Sequence, residues 1–229
     1  MTSKSKSAST VSSTHPPIYI QPDIRRGRIT VYVDVPQSST VEFSIPELNL
    51  SSTGVSGRNL LNVDGFDAWT PESPTMYTLA CTVGDSEGGS ESYSVVFGMR
   101  EFTVKEGRFF FNSRPLYVKG VDCGGLFAES PLTDAQNDSV GACVRSLKES
   151  GFNLLRVSVS AITEQLLTLA DAEGFLVEVA FREAAELGCI EQFRNHPSVV
   201  SWNLLAIEPQ DIVSLRERDP GRLYLYRDD

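Results

Sequence analysis

The sequence predicts a chain of two parts, a β-domain followed by an α/β domain. Residues 18–105 consist of short apolar stretches separated by turn residues, whereas residues 106–229 alternate strand-like and helix-like segments. Short strands at such spacing are typical of a small β-sandwich, and alternating strands and helices are typical of a parallel sheet with right-handed crossovers. The 229 residues suffice for two such domains.

The first part contains four clear strand signals. Apolar residues alternate or cluster in 28–35, 40–45, 76–83 and 92–98. The polar, glycine-rich segment GDSEGG at 84–89 predicts a hairpin turn between the last two strands. Because several of these strands have an apolar face that a second layer must cover, a sandwich is favoured over an isolated meander.

The second part alternates predicted strands with predicted helices. The strands are predicted at 115–123, 152–159, 175–181, 198–207 and 222–226, and the helices at 134–151, 163–174, 182–196 and 211–219. Gly151 and Gly174 end the first two helices, and Gly188 weakens the third. A doubly wound sheet and a (β/α) barrel both fit this order. No GxGxxG fingerprint or P-loop occurs, so nucleotide binding has no support.

Charge and hydropathy exclude two classes of protein. The formal net charge is −10, whereas a general nucleic-acid binder is usually basic. No apolar run approaches the ~18 residues that a membrane-spanning helix needs. We therefore predict neither a nucleic-acid partner nor a membrane span.

The amino-terminal residues 1–17 are predicted to be a disordered tail. They are rich in Ser and Thr and lack the apolar core of a secretory signal. They loosely resemble an organellar transit peptide, but no Arg-rich amphipathic face is present. We expect an intracellular protein, with the cytoplasm as the favoured compartment and mitochondria as the open alternative. Free thiols, with no metal and no cofactor, are expected for the four cysteines, because none forms a CxxC pair: Cys81, Cys123, Cys143 and Cys189.

Six segments of the chain are similar, in the same order, to segments of one known family. They are FDAWTPESPTMYTL (66–79), VVFGMREFTVKEGRFFFNSRPLYVKGVD (95–122), GFNLLRVS (151–158), LADAEGFLVEVA (169–180), FRNHPSVVSWNL (193–204) and ERDPGRLYLY (217–226). They resemble family 2 glycoside hydrolases, the group of β-galactosidases, β-glucuronidases and β-mannosidases. The resemblance implies an immunoglobulin-like β-sandwich at 18–105 followed by a partial TIM barrel, about strands one to five, at 106–229.

The same resemblance identifies Glu208 as the candidate acid/base residue. Retaining glycosidases use an acid/base carboxylate and a nucleophilic carboxylate, and in this family the acid/base follows an Asn at the end of the fourth barrel strand. Counted from Trp202 without a gap, Ala206 replaces that Asn, Ile207 replaces the acid/base, and Glu208 comes one residue late. A bulge would be needed to turn Glu208 into the barrel mouth. The nucleophile belongs to the seventh strand, for which this chain has no counterpart.

Three further residues are candidate substrate contacts, namely Arg156, Asp122 and Trp202. Arg156 is kept from the family pattern, although an ion pair with Glu178 or Glu208 is the favoured role for it. Asp122 lies at the end of the first barrel strand and is an alternative acid partner of Glu208. Trp202 is mid-strand, which favours a core position.

One histidine stands near the predicted fourth barrel strand. His196 precedes Pro197 and is predicted to cap the last carbonyls of a helix rather than to act as a base. A pairing of Cys123 with His196 as nucleophile and base has no motif support.

The lost carboxylates predict a non-catalytic protein that serves as a structural or interaction subunit. Five parallel strands do not close a barrel, and their nearly continuous apolar runs predict a large exposed apolar surface. We expect other protein subunits, a second copy of the chain, or rearranged helices to cover it. Two alternatives stay open: a glycosidase that cleaves β-glycosidic bonds with Glu208 as acid/base and a nucleophile from a partner chain, and a carbohydrate-binding module.

Overall fold

The computed structural model describes residues 17–123, 134–204, 207 and 209–226, with the backbone alone at 134–138, 209–211 and 213–214. The predicted tail lies outside these residues except for its last position, and so does Glu208. In the described part, no helix is long and apolar enough to cross a membrane.

The first part of the chain forms seven antiparallel strands in two sheets. They are β1 (Ile18–Asp23), β2 (Arg28–Val33), β3 (Thr40–Ile45), β4 (Leu50–Gly54), β5 (Gly57–Asn62), β6 (Tyr77–Gly84) and β7 (Ser90–Phe97). One sheet has the order β1-β2-β5 and the other has the order β4-β3-β6-β7. The four predicted strands are confirmed to within two residues at each end, and the predicted turn at 84–89 joins β6 to β7.

The two antiparallel sheets pack face to face through their apolar sides. In β6 the side chains alternate strictly between buried and partly exposed, so that Tyr77, Leu79 and Cys81 point inward. They meet Ile29 and Val31 of the other sheet in one buried cluster. The period of two along a strand therefore produces the sandwich that the sequence predicts.

A small antiparallel meander follows and crosses the predicted domain boundary at 105/106. Its strands are β8 (Phe102–Lys105), β9 (Arg108–Phe111) and β10 (Arg114–Pro115). Phe102 and Phe111 pack in one cluster with Trp69, Leu154 and Leu176. The meander thus packs against the parallel sheet that follows it in the chain.

The last sheet has five parallel strands in sequential order. The strands are β11 (Gly120–Asp122), β12 (Leu154–Ser158), β13 (Leu176–Ala180), β14 (Val199–Asn203) and β15 (Leu223–Leu225), and the helices are α1 (Asp134–Glu149), α2 (Glu164–Glu173), α3 (Ile190–Phe193) and α4 (Pro209–Arg218). All five predicted strands are present, but the first is shortened from the predicted 115–123 to 120–122, and the fourth from 198–207 to 199–203. The helix predicted at 182–196 is instead a 3₁₀ segment, Ala184–Cys189, followed by the short α3.

The helices α1 to α4 contribute to a single core on one face of the parallel sheet. Val144 of α1, Leu167 of α2, Phe193 of α3 and Leu215 of α4 share this core with strand residues such as Val179. The expectation of strands apolar on both faces is confirmed only at their amino ends, where Leu154, Leu176 and Val200 are buried on the opposite face beside the meander. The carboxyl end of that face is polar and carries Arg156, Glu178 and Asn203. Among the described residues, the exposed large hydrophobic side chains all lie outside the strands of this sheet: Val55, Leu60, Val96, Val104 and Tyr117.

Candidate functional site

A bulge in β14 decides which side chains reach the polar face of the parallel sheet. Val177 of β13 pairs with Val199, but its neighbour Glu178 pairs with Ser201, so one residue of β14 is skipped. A one-residue shift exchanges the faces of all residues that follow it. The bulge therefore puts Ser201 beside Glu178 and sends Trp202 to the helix-covered core.

The polar face carries a cluster centred on Glu178. The Nε of Arg156 donates to Glu178 Oε1 at 2.7 Å, and the amide of Asn203 donates to the same oxygen at 2.9 Å. The hydroxyl of Ser201 contacts Glu178 Oε2 at 3.4 Å. The side chain of Glu178 is 11% exposed, whereas that of Arg156 is 40% exposed. Glu178 is thus the buried centre of the cluster, whereas solvent reaches the side chain of Arg156.

This geometry suits a structural ion pair better than proton transfer. Both oxygens of Glu178 already accept hydrogen bonds from within the protein. An acid/base residue must present an oxygen to the substrate, whereas the side chain of Glu178 is 11% exposed and its Oε1 is bound by both Arg156 and Asn203. Arg156 has Glu178 as its partner, one of the two acids that the sequence predicts for it.

The other predicted site residues lie in different environments. Asp122 is exposed at the end of β11 and is the register neighbour of Arg156. Trp202 has no exposed surface, and its indole N–H donates to Asp219 Oδ2 at 2.8 Å. No face of this ring is open to a sugar, so the candidate role of Trp202 as a substrate contact does not fit its place in the core. Glu208 lies outside the described residues, whereas Ile207 is 7% exposed in the helix-side core.

His196 forms a second charged cluster, at the opposite end of β14. Its Nδ1 contacts Asp171 Oδ2 at 2.6 Å, and its Nε2 contacts Glu164 Oε1 at 3.1 Å. The other carboxylate oxygen of Asp171 accepts the backbone N–H of Ser198 at 2.9 Å. The predicted capping of helix carbonyls by His196 is therefore wrong, because two carboxylates of α2 bind the imidazole instead. The histidine ties α2 to the start of β14.

This cluster predicts a loss of stability at alkaline pH. Burial lowers the pKa of His196, but hydrogen bonds and charges from Asp171 and Glu164 outweigh burial and raise it to about 9. Since the unfolded pKa is near 6.5, the stabilisation is complete below about pH 6.5 and is lost as the pH rises through about 9. We expect the free energy of unfolding to fall by roughly 2–3 kcal/mol between pH 6 and 9.5.

Urea denaturation at the two pH values measures this difference. His196→Gln should remove most of the pH dependence, whereas His15→Gln, which changes the other histidine of the chain, should keep it. An equal dependence in the wild type and in His196→Gln would contradict the assignment.

Among the described residues, the structure places neither a nucleophilic thiol nor a group of metal ligands beside these two clusters. Burial raises the pKa of Cys123 to about 11, which keeps this thiol protonated at neutral pH. Cys123 follows the carboxyl end of β11, whereas His196 precedes the amino end of β14, so the two do not form a nucleophile–base pair. Within the described ranges, no group of three or more His, Cys, Asp or Glu side chains is placed to hold a metal ion.

Comparison with known proteins identifies the class to which this fold belongs. Residues 18–100, which form the two packed antiparallel sheets, match the model of the family described as glycosyl hydrolases family 2. The resemblance drawn from the sequence is confirmed: the chain is similar to family 2 glycosyl hydrolases, through the family model over residues 18–100 and through relatives at low identity over most of the chain.

Several proteins similar to this chain are β-glucuronidases, and their sequence identity to it is low. The chain is 26% identical to a β-glucuronidase of Paenibacillus borealis over 67% of this chain and 30% of that protein. It is 25% identical to the β-glucuronidase of Mus musculus over 80% of this chain and 32% of that protein. The crystal structure of Parabacteroides merdae β-glucuronidase superposes with a TM-score of 0.69 at 20% identity, covering 95% of this chain and 34% of that one, which shows a shared fold. The chain thus spans about a third of the length of these relatives.

Proposed function

We propose that this chain is a non-catalytic family 2-like protein that serves as a structural or interaction subunit of a larger protein assembly. In this proposal the seven-stranded part is an immunoglobulin-like sandwich, and the five parallel strands are part of a TIM barrel. The placement of all four helices against one face of the sheet supports a barrel over a doubly wound sheet, which has helices on both faces.

The observation that carries the proposal is the environment of Ile207. Without a gap from Trp202, this residue occupies the position of the family's acid/base carboxylate, and it is an apolar side chain buried in the core. A hydrocarbon side chain transfers no proton, so this position supplies no acid/base. The carboxylate that does lie on the polar face, Glu178, is bound to three neighbouring side chains.

The edges of the parallel sheet support an interaction role. Among the described residues, β11 pairs only with β12, and β15 pairs only with β14. Unpaired strand edges present backbone N–H and C=O groups that bind another strand. We propose that other protein subunits or a second copy of the chain occupy these edges.

Glycosidase activity is the second candidate function, favoured by the names of the relatives. The curated proteins that match include β-glucuronidases and β-galactosidases. In this alternative, Glu208 acts as acid/base, a partner chain supplies the nucleophile, and Arg156 and Asp122 contact the sugar. A carbohydrate-binding module is the third hypothesis. It predicts saturable glycan binding without hydrolysis.

An assay with chromogenic glycosides separates the first two functions. Purified wild type, Glu208→Gln and the exposed-turn control Glu87→Gln are incubated with nitrophenyl β-glucuronide, β-galactoside and β-mannoside. We expect no hydrolysis above the buffer blank for any variant. Hydrolysis that Glu208→Gln loses and Glu87→Gln keeps would reject the non-catalytic proposal and support the glycosidase.

The mass of the native protein tests the assembly part of the proposal. Gentle lysis, size separation and identification of co-migrating chains should find this protein in a complex of fixed stoichiometry. A stable monomer that shows no hydrolysis would reject the subunit role while leaving the non-catalytic assignment intact.

A further inference from the structure

A polar concavity of about 600 Å³ lies on the outer face of the β1-β2-β5 sheet. The inner face of this sheet is the apolar wall of the sandwich, so the residues between the inward-pointing ones face outward. Gln21, Thr30 and Tyr32 form the floor, and the hairpin between β1 and β2 forms one side. A volume of this size lies within the range of small-molecule sites.

The side chains of four arginines and two acidic residues line the concavity. The arginines are Arg25, Arg26, Arg28 and Arg58, and the carboxylates are Asp23 and Glu101. The local balance is therefore two positive charges in a chain with a formal net charge of −10. A concentrated positive field on an acidic protein attracts an anion to this place.

Three of the guanidinium groups are held in position by the two carboxylates. Asp23 Oδ2 accepts from Arg26 at 3.1 Å and from Arg28 at 3.3 Å. Glu101 Oε2 accepts from Arg25 through both Nε, at 3.2 Å, and an Nη, at 2.8 Å. Each guanidinium has five N–H donors, so every one of these arginines keeps donors for a ligand.

The hairpin loop itself orients part of this group. The backbone N–H of Arg26 donates to the carbonyl of Asp23 at 3.3 Å, and Gly27 follows with a φ of +58°. A left-handed residue at this position lets the chain turn back into β2 within four residues. The tight turn presents Arg25 and Arg26 at the rim of the concavity.

Arg58 differs from the other three arginines. It lies on β5 directly opposite Tyr32 of β2 and is exposed. Within the part of the chain that the structure describes, no carboxylate forms an ion pair with it. The hydroxyl of Tyr32 makes only a long contact of 3.5 Å with Gln21 Oε1. Arg58 therefore offers unused N–H donors beside the hydroxyl of Tyr32.

We propose that this concavity binds a small phosphate or sulfate ester, with Arg58 and Arg28 as the principal ligands of its oxyanion. The planar guanidinium matches the geometry of phosphate and sulfate oxygens and binds them through paired N–H groups. The excess of two positive charges matches a doubly charged phosphate monoester. The hydroxyl and amide groups of Gln21, Thr30 and Tyr32 can form hydrogen bonds with hydroxyl groups on the organic part of the ester. This site is independent of the proposed scaffold function, since it lies on the sandwich and not on the parallel sheet.

Calorimetric titration of the full chain with defined probes tests the site. The probes are glucose 6-phosphate, glucose 6-sulfate and uncharged glucose, at low ionic strength. We expect binding of at least one ester and none of glucose, and the tighter ester shows whether the site prefers phosphate or sulfate. Affinity should fall as salt is added, because the contacts are partly exposed.

Two arginine variants decide whether the binding is local. Arg58→Gln should weaken ester binding about tenfold, the loss of one charge-assisted contact, while its thermal unfolding stays that of the wild type. Arg114→Gln, an exposed arginine on β10 outside the concavity, should bind as the wild type does. The site is refuted if neither ester binds, if glucose binds equally well, or if both variants weaken binding to the same degree.

Discussion

Replacement of Arg100 by alanine is expected to lower the free energy of unfolding by about 3–5 kcal/mol. Arg100 is 5% exposed and lies between the sandwich and the parallel sheet. Its guanidinium donates to the carbonyl oxygens of Pro197 at 3.0 Å, Val199 at 2.5 Å and Gly221 at 3.2 Å. The variant would leave three carbonyl groups without this donor at a buried interface. Because the stability of a domain is commonly about 5–15 kcal/mol, much of the total would be lost.

Urea denaturation followed by circular dichroism measures this loss. Arg108→Ala, a change at an exposed arginine of β9, is the matched control and should differ from the wild type by less than about 0.5 kcal/mol. Arg100→Lys should recover only part of the loss, because one ammonium group does not reach three carbonyls as a planar guanidinium does. A loss below about 1 kcal/mol in Arg100→Ala would show that the interface does not depend on this side chain.

Trp69→Ala should destabilise the protein by a similar amount, about 3–5 kcal/mol. Trp69 has no exposed surface, and its ring packs against Phe111 with centroids 5.7 Å apart. Its indole N–H donates to the backbone carbonyl of Asp171 at 2.9 Å, which joins the loop before β6 to helix α2. The alanine variant loses the apolar contact and leaves a large cavity, because the surrounding side chains relax only in part.

Two further variants separate these contributions. Trp69→Phe keeps most of the ring but not the N–H, so it should lose less than the alanine variant. Tyr117→Ala removes an aromatic ring that is 80% exposed and should stay within about 0.5 kcal/mol of the wild type. Equal stability of Trp69→Ala and Tyr117→Ala would contradict the importance of Trp69 at this junction.

Local signals predicted most of the secondary structure. Helix α2 spans Glu164–Glu173 with Thr163 as its N-cap and Gly174 in the left-handed conformation after it, close to the predicted 163–174. A side chain at Gly174 would also meet the carbonyl oxygen of Pro71 at 2.4 Å, so the glycine serves both the helix end and the junction. Caps and alternation involve residues a few positions apart, which is why they are visible in the sequence.

Elements with weak local patterns were missed. Strand β4 has the sequence LSSTG and no buried side chain, and β5 buries only Asn59 and Leu61. Such strands are formed by their neighbours in the sheet, because the backbone ladder with β3 or β2 satisfies their polar groups. The predicted helix at 182–196 is interrupted near Gly188, where the sequence shows a weak point.

The candidate site was predicted only in part. The pairing of Arg156 with Glu178 was one of two alternatives, and it follows from their opposite positions on β12 and β13. Asn203 and Ser201 were missed, since the bulge that turns them toward Glu178 has no signature in the strand sequence. The arginine concavity had a visible signal, the segment RRGR at 25–28, but Arg58 joins it only through the pairing of β5 with β2.

The sequence by itself determined the alternation of strands and helices in the second part, the division into a β part and an α/β part, and the resemblance to family 2 glycosyl hydrolases. These depend on periodicity, turn residues and motifs that each occupy a short stretch of chain. Only the tertiary structure decided that the helices cover one face of the sheet, that His196 binds two carboxylates, and that Ile207 is buried. Those outcomes depend on contacts between residues far apart in the chain, where packing and charge pairing select one arrangement among several that the local pattern allows.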